Sequence, residues 1–306
     1  MKKIIIISLL IIIIPFLIVT IFIKDDEIKF NFVSNMVVRV KRENGTIDRV
    51  PFEEYIKGVL AGEMPTSFEM EALKAQAVAA RSYVMKKMEQ NTEEDYDVVD
   101  TVMNQVYLDE NTLKEKWQEK YEEKNNKLKQ AILETKGEYM TYNNEVIEAF
   151  FFSTSTGKTE NSGEVFQTQL PYLRSVDSSW DQEVSPVFQE NNNLSLTEFY
   201  QKLNLEYNEE LKIEITKTTS TGRLKELNIN GQSFKANDIY QKLNLRSTFF
   251  DIKQKGKQVE ITTKGYGHGV GMSQYGALAM AKKGYKYQDI LKYYYQGIEI
   301  KKLWNW

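Results

Sequence analysis

The chain has 306 residues, of which 42% are hydrophobic and 27% charged, a balance that excludes the disordered and collagen-like classes. Its 40 Lys+Arg against 43 Asp+Glu give a net charge of -3, so the composition carries no electrostatic footprint for nucleic acid. With no cysteine and one histidine, disulfides, iron-sulfur clusters, thiolate zinc sites, cysteine nucleophiles and multi-histidine metal sites are excluded, which leaves chemistry to rest mainly on carboxylates and hydroxyls.

Ile4 to Ile23 form an uncharged, apolar run, long enough to cross roughly 30 Å of hydrocarbon as one helix. Lys2 and Lys3 precede it, and Lys24, Asp25, Asp26 and Glu27 follow, so the positive-inside bias places the N-terminus in the cytoplasm and the body outside. The run is longer than a signal-peptide core and no A-x-A-like site follows it, which favours an uncleaved anchor over residues 1–24. An exported body points to cell-envelope polymers rather than ATP or NADH.

Residues 36–50 read as a hairpin turning at Asn44-Gly45. Pro51 suits a first helical position, Glu53 and Glu54 fall in the first turn, and Pro65 stops the helix. A second helix is expected from Thr66, with Glu69 completing a capping box, to about Gln90. Alanines at 72, 75, 77, 79 and 80 would let another element approach it closely. The charged stretch 109–136 reads as one interrupted or two short surface helices, with Leu113, Trp117 and Tyr121 on one stripe and a break near Asn125-Asn126. Strands are expected over 138–142 and 146–152, joined by a turn at Asn143-Asn144, and a β-rich stretch spans about 191–264. The hexapeptide Tyr-Gln-Lys-Leu-Asn-Leu occurs at 200–205 and again at 240–245, each time in a short helical context.

Three segments carry chemistry. Successive helical residues turn by about 100°, so Phe52, Ile56, Val59 and Glu63 share one face. A carboxyl on an apolar stripe, close to the negative end of its helix, should have a raised pKa, as a glycosidic general acid requires. The structural alternative is a Glu paired with a buried arginine such as Arg81, or one that caps backbone amides. The second segment, residues 265–275, holds four glycines in seven positions and then Ser273, Gln274 and Tyr275; it lacks the Gly-Lys-[Ser/Thr] ending of a phosphate loop and suits a loop beside a sugar groove. His268 within it is a core histidine, an orienting donor or an acid/base group. The third, 153–162, gathers hydroxyls and amides suited to hydroxyl recognition, or to a plain Ser/Thr-rich turn.

Taken together, the strings from Glu54 (EYIKGVLAGEMPTSFEMEALKAQAVAARSYV), Phe151 (FFSTSTGKTENSGEVF) and Gly265 (GYGHGVGMSQYGALAMAKKGYKYQDILKYYYQGIEI) closely resemble the SpoIID family of stage II sporulation proteins, to which amidase enhancers are related. The resemblance covers nearly all of the expected exported body, in the family's order. It implies a lytic transglycosylase acting on peptidoglycan strands already stripped of stem peptides, on the mother-cell side of the sporulation septum during engulfment. It further implies stage II sporulation proteins P, the amidase, and M as partners. The family's catalytic glutamate lies in a Glu-Met-Pro motif, which here is Glu63-Met64-Pro65. Ser153, Thr154, Ser155, Thr159, His268, Ser273, Gln274 and Tyr275 would hold the sugars, with Lys74, Gln76 and Arg81 lining or bracing the cleft.

Some relatives bind zinc through a histidine and cysteines just before Gln105-Val106-Tyr107; the segment here, DYDVVDTVMN, has neither, so no metal or other cofactor is expected. The competing function is a non-enzymatic glycan-binding module that recruits and stimulates an amidase. The expected architecture is α+β: a transmembrane anchor over 1–24, a catalytic domain in two parts, 25–190 and 265–306, and a β-rich subdomain inserted over 191–264.

Overall fold

A computed structural model describes residues 36–166 and 168–303; the anchor expected at the N-terminus lies outside the described residues. Among the described residues, no helix is long and apolar enough to cross a membrane. Helices and small sheets are mixed along the chain.

Strands β1 (Val37–Lys41) and β2 (Ile47–Pro51) form the expected hairpin, with Gly45 at φ 85° in the turn and β3 (Val98–Val99) added parallel to β1. Pro51 is the residue that caps α1 (Phe52–Glu63) rather than its first helical residue. The next helix, α2 (Met70–Gln90), begins later than Thr66. Residues 65–68 form a turn closed by the Phe68 N–H on the Pro65 carbonyl, and Glu69 occupies the cap position without a side-chain hydrogen bond, so no capping box forms at Thr66.

Its alanines explain why α2 sits at the centre of the main core. Ala72, Ala75, Ala77, Ala79 and Ala80 are all fully buried, and a methyl side chain keeps the helix axis close to its neighbours. Around it pack α1, α4 (Tyr121–Glu134), β4 (Glu138–Tyr142), α9 (Gln274–Lys282) and α10 (Tyr287–Tyr294). Elements from the two ends of the chain thereby share one apolar core.

The charged segment breaks at Gln118, whose φ of 46° ends α3 (Glu110–Trp117), and not at Asn125-Asn126, through which α4 runs unbroken. Trp117 and Tyr121 stay on the buried side across the break, so packing of the apolar stripe outweighs the weak helix propensity of the two asparagines. Asn143 and Asn144, at φ 51° and 68°, make the expected turn from β4 into β5 (Glu145–Val146). The strand expected over 146–152 is divided. Only β5 and β6 (Phe151–Phe152) are extended pairs, because β6 leaves β4 to run parallel to β13 (Met272–Ser273). Two short helices, α5 (Ser162–Val165) and α6 (Asp181–Val184), follow β6 along the chain. Strand β14 (Glu299–Lys302) takes the other edge of β4.

A second apolar core is built from β7 (Gln189–Ser195), α7 (Leu196–Leu203), β8 (Ile213–Thr218), β9 (Leu224–Ile229), β10 (Gln232–Lys235), α8 (Ala236–Lys242), β11 (Phe250–Lys255) and β12 (Gln258–Lys264). Two antiparallel three-stranded sheets, in the orders β11-β12-β7 and β10-β9-β8, enclose residues such as Phe199, Leu227, Ile239 and Ile261. The repeated hexapeptide is a helix-ending device: Asn204 and Asn244 are left-handed at φ 56° and 51°, and the N–H of Leu205 or Leu245 bonds the carbonyl of Tyr200 or Tyr240 at 2.9 Å in both copies.

Candidate active site

Glu63 is the last residue of α1, and its three apolar partners on the helix face, Phe52, Ile56 and Val59, are fully buried. Its carboxyl therefore leaves the core at the floor of a cleft of about 570 Å³, within the roughly 300–1,000 Å³ typical of ligand sites. Two donors hold it: the Val106 N–H on Oε1 at 2.8 Å and the Gln274 side-chain amide on Oε2 at 3.3 Å. Burial raises the pKa of Glu63 above the ordinary 4.5, and these two hydrogen bonds pull it partly back.

The Val106 amide is placed by close packing. A Cβ on Gly62 would stand 2.5 Å from the Val106 carbonyl oxygen, and one on Gly58 would stand 2.4 Å from the Tyr107 ring, so only glycine lets this segment lie against α1. Flanking residues fasten it: the Tyr55 hydroxyl donates to Gln105 Oε1 at 3.1 Å, and Tyr55 stacks on Tyr107. Sequence reasoning notes Gln105-Val106-Tyr107 only as a landmark beside the zinc segment of some relatives and misses their place against Glu63, although Gly58 and Gly62 at i, i+4 on the Glu63 helix are a signal of close approach.

Gln274 and Tyr275 open α9, and Ser273 caps it by accepting the Gly276 N–H. The hydroxyl segment and the glycine loop run side by side: Thr154 and Tyr266 exchange backbone hydrogen bonds, Glu160 N–H reaches the Gly269 carbonyl at 2.7 Å, and Tyr275 N–H reaches the Ser153 carbonyl at 3.0 Å. The glycines are required there. Gly265, Gly267, Gly269 and Gly271 all have φ between 71° and 100°, and a Cβ on Gly271 would fall 2.0 Å from the Phe150 carbonyl oxygen.

The structure thus brings Glu63, Ser153, Gln274 and Tyr275 to the cleft, and adds Phe68, Trp117 and Tyr266 as aromatic walls. Phe68 meets the Tyr275 ring edge-on at 5.1 Å. Tyr266 is 45% exposed, with the Arg246 guanidinium 5.7 Å from the centre of its ring.

Other residues expected to hold sugar turn into the protein. Arg81 is fully buried against Glu53 at 2.9 Å, with further hydrogen bonds to Thr135 and the Ile132 carbonyl, so its carboxylate partner is Glu53 and not Glu63. Lys74 lies between Glu71 and Glu134. Gln76 is fully buried within α2. Thr154 bonds Ser185 at 2.8 Å, and Thr159 Oγ1 accepts the Val176 N–H at 2.9 Å. His268 has Phe150, Phe152 and Phe166 around its ring, its Nδ1 accepts the Val270 N–H, and burial lowers its pKa to about 4. The ring is half-buried beside these phenylalanines, and it is absent from the cleft lining.

Ser155 and Ser273 converge on Asp181, a buried carboxylate that nothing in the local sequence singles out. Its oxygens accept the Ser155 N–H at 2.7 Å, the Ser178 hydroxyl at 2.7 Å and the Ser273 hydroxyl. Burial raises its pKa against the pull of these donors. Asp181 therefore ties the hydroxyl segment to the start of α9, one residue from Gln274.

The zinc-binding arrangement of some relatives does not fit this chain. In the segment before Gln105, Asp97 is committed to Arg39 at 2.6 Å and Asp100 to Arg42 at 3.2 Å, with no histidine or cysteine beside them. Among the described residues, no group of three or more His, Cys, Asp or Glu is arranged to hold a metal ion.

Comparison with known proteins gives the same fold a family context. A family model described as SpoIID, Stage II sporulation protein, matches residues 41–142. Stage II sporulation protein D of Bacillus subtilis (strain 168) is 44% identical over 262 residues, covering 84% of this chain and 76% of the relative. The protein of the same name from Bacillus amyloliquefaciens is 43% identical over 265 residues, covering 85% and 77%. An amidase enhancer of Bacillus subtilis (strain 168) is 30% identical over 299 residues, covering 80% of this chain and 40% of that protein.

Proposed function

The chain belongs to the SpoIID family of stage II sporulation proteins, and from that premise we propose that it is a lytic transglycosylase cleaving peptidoglycan glycan strands with Glu63 as its catalytic acid and base. The observation that carries this reading is the single carboxyl at the cleft floor, desolvated enough to raise its pKa and held by Val106 and Gln274. Glycosidic cleavage needs a proton on the leaving oxygen as the bond to the anomeric carbon breaks. Glu63 donates that proton to the oxygen between N-acetylmuramic acid and N-acetylglucosamine. As the carboxylate, it then accepts the proton of the muramic C6 hydroxyl, whose oxygen closes on C1 to form the 1,6-anhydro ring. Hydrolytic glycosidases typically use two carboxyl groups, whereas Glu63 is the one acidic residue lining this cleft among the described residues, which favours the internal nucleophile.

On this reading Ser153, Gln274 and Tyr275 contact the sugars beside the exposed ring of Tyr266, while Phe68 and Trp117, both buried, back the wall of the cleft. The substrate is peptide-stripped glycan at the sporulation septum, with the body outside the membrane, anchored by residues 4–23, and with stage II sporulation proteins P and M as partners; family membership supports this setting.

The test is mass spectrometry of the products formed from amidase-treated peptidoglycan by the full-length chain and by Glu63→Gln. Release of 1,6-anhydromuramyl products by the wild type alone is expected. Reducing-end sugars would instead make it a hydrolase. The similarity to an amidase enhancer favours a second reading, a glycan-binding module that stimulates an amidase. That module would bind strands and stimulate its partner equally well with Glu63→Gln, and would release no sugar.

A further inference from the structure

The cleft that holds Glu63 also contains two lysines, Lys116 at the end of α3 and Lys124 in α4. Among the described residues neither forms an ion pair, whereas Lys57, Lys74, Lys87 and Lys114 are each paired with a glutamate. The Lys124 ammonium lies 5.5 Å from the centre of the Trp117 ring, so one aromatic wall of the cleft already carries a positive charge on its face. Glu63, the one acid among the described residues of the cleft, must be protonated when it starts the reaction, and it cannot then neutralise these cations. A polymer of hydroxyls and N-acetyl groups gives such charges nothing to pair with. The muramic acid unit does, through the lactyl group on its C3 oxygen. While a stem peptide is attached, that carboxyl is a neutral amide; once the amide is hydrolysed it is a free carboxylate, ionised at neutral pH.

We infer that Lys116 and Lys124 form a carboxylate-binding subsite that reads the free lactyl group of muramic acid, so that the cleft selects strands whose peptides have been removed. This rests on the glycan-cleavage reading above and adds the feature of the substrate that is recognised. Selection is then by attraction as well as by size: the same hydrolysis that removes a bulky peptide creates the charge that the two ammonium groups attract. The attraction across an open cleft is screened by salt, so the preference should shrink as ionic strength rises.

The experiment is a binding titration of the full-length chain with two muramic-containing oligosaccharides of equal length, one with free lactyl carboxylates and one with these converted to methyl amides. The free acid is expected to bind about tenfold more tightly, equivalent to about 1.4 kcal/mol. In Lys116→Gln/Lys124→Gln both ligands should bind at the level of the methyl amide, and in Lys116→Arg/Lys124→Arg the preference should return. Equal binding of the two ligands by the wild type overturns the subsite while leaving the cleft as a glycan site. A preference that survives in the glutamine variant overturns the assignment to these lysines. Binding of neither ligand by the wild type removes the glycan-cleavage reading itself.

Discussion

The Val106 amide N–H donates to Glu63 Oε1 at 2.8 Å across 43 residues of chain, and the contact exists because Gly62 leaves no side chain between them. Glu63 is thereby held in one orientation at the edge of the core. Burial favours its neutral form, and two donors favour its charged form; the balance is a carboxyl whose pKa lies above 4.5 without losing the ability to ionise. That balance is what a residue acting first as acid and then as base requires.

The pH dependence follows from the raised pKa. Activity should fall along an alkaline limb as Glu63 loses its proton, with an apparent pKa above 4.5, measured as the rate of anhydro-sugar release against pH. The same shift enters stability: a carboxyl with a raised folded-state pKa stabilises the fold fully below its unfolded pKa, and that contribution is lost as pH rises through the folded value. The difference in melting temperature between Glu63→Gln and wild type should therefore move in favour of the variant as pH increases from about 4 to about 8. A difference independent of pH would contradict the shift.

Gly62→Ala places a methyl group where only 2.5 Å separates it from the Val106 carbonyl oxygen. Relief of that overlap should cost about 1–3 kcal/mol of stability, read by denaturant unfolding. It should also draw the Val106 N–H away from Glu63, which removes a stabilising partner of the carboxylate and moves the alkaline limb to higher pH. An unmoved limb would show that Val106 does not tune the acid.

Asp181→Asn keeps the shape but replaces an acceptor oxygen with an amide donor among groups that donate to it. The Ser155 backbone N–H cannot reverse its role as a hydroxyl can. A loss of about 1–3 kcal/mol is expected, together with a lower rate as the start of α9 and Gln274 shift against Glu63. Asp181 is a positioning residue, so the alkaline limb should change along with the rate; wild-type stability in the variant would refute the network.

Arg81→Met leaves the Glu53 carboxylate buried without its cation, and a loss of about 3–5 kcal/mol is expected. Arg81→Met combined with Glu53→Leu should recover much of that loss. Glycan affinity of the folded protein should stay unchanged in the double variant, whereas a large drop would return Arg81 to the sugar-binding residues.

Metal analysis of the purified chain should find no stoichiometric zinc, because the acids nearest Gln105 are held by Arg39 and Arg42 and no histidine or cysteine accompanies them. Zinc that resists dialysis would overturn this expectation.

Features that depend on a residue and its near neighbours are legible in the amino-acid sequence. Helical periodicity alone puts Glu63 on the face of Phe52, Ile56 and Val59, and that face is buried. Asn44-Gly45 and Asn143-Asn144 are turns because these residue types tolerate left-handed backbone, and the glycines at 265–271 hold positive φ for the same reason. Features set by distant partners are not legible there. The break in the charged helix falls at Gln118 because Trp117 and Tyr121 must both reach the core, and β6 leaves β4 because β13, far along the chain, offers it a partner, with Phe151 against Met272. Polar side chains show the division most clearly. Arg81, Thr154, Ser155, Thr159 and His268 have the chemistry to bind a sugar, yet their side-chain partners are Glu53, Ser185, the Ser178 carbonyl, the Val176 N–H and a ring of phenylalanines. Most buried polar groups pair with whatever the fold sets beside them, so local sequence determines which groups a residue carries and its direction from a helix, and tertiary packing alone decides whether those groups face a ligand or the core.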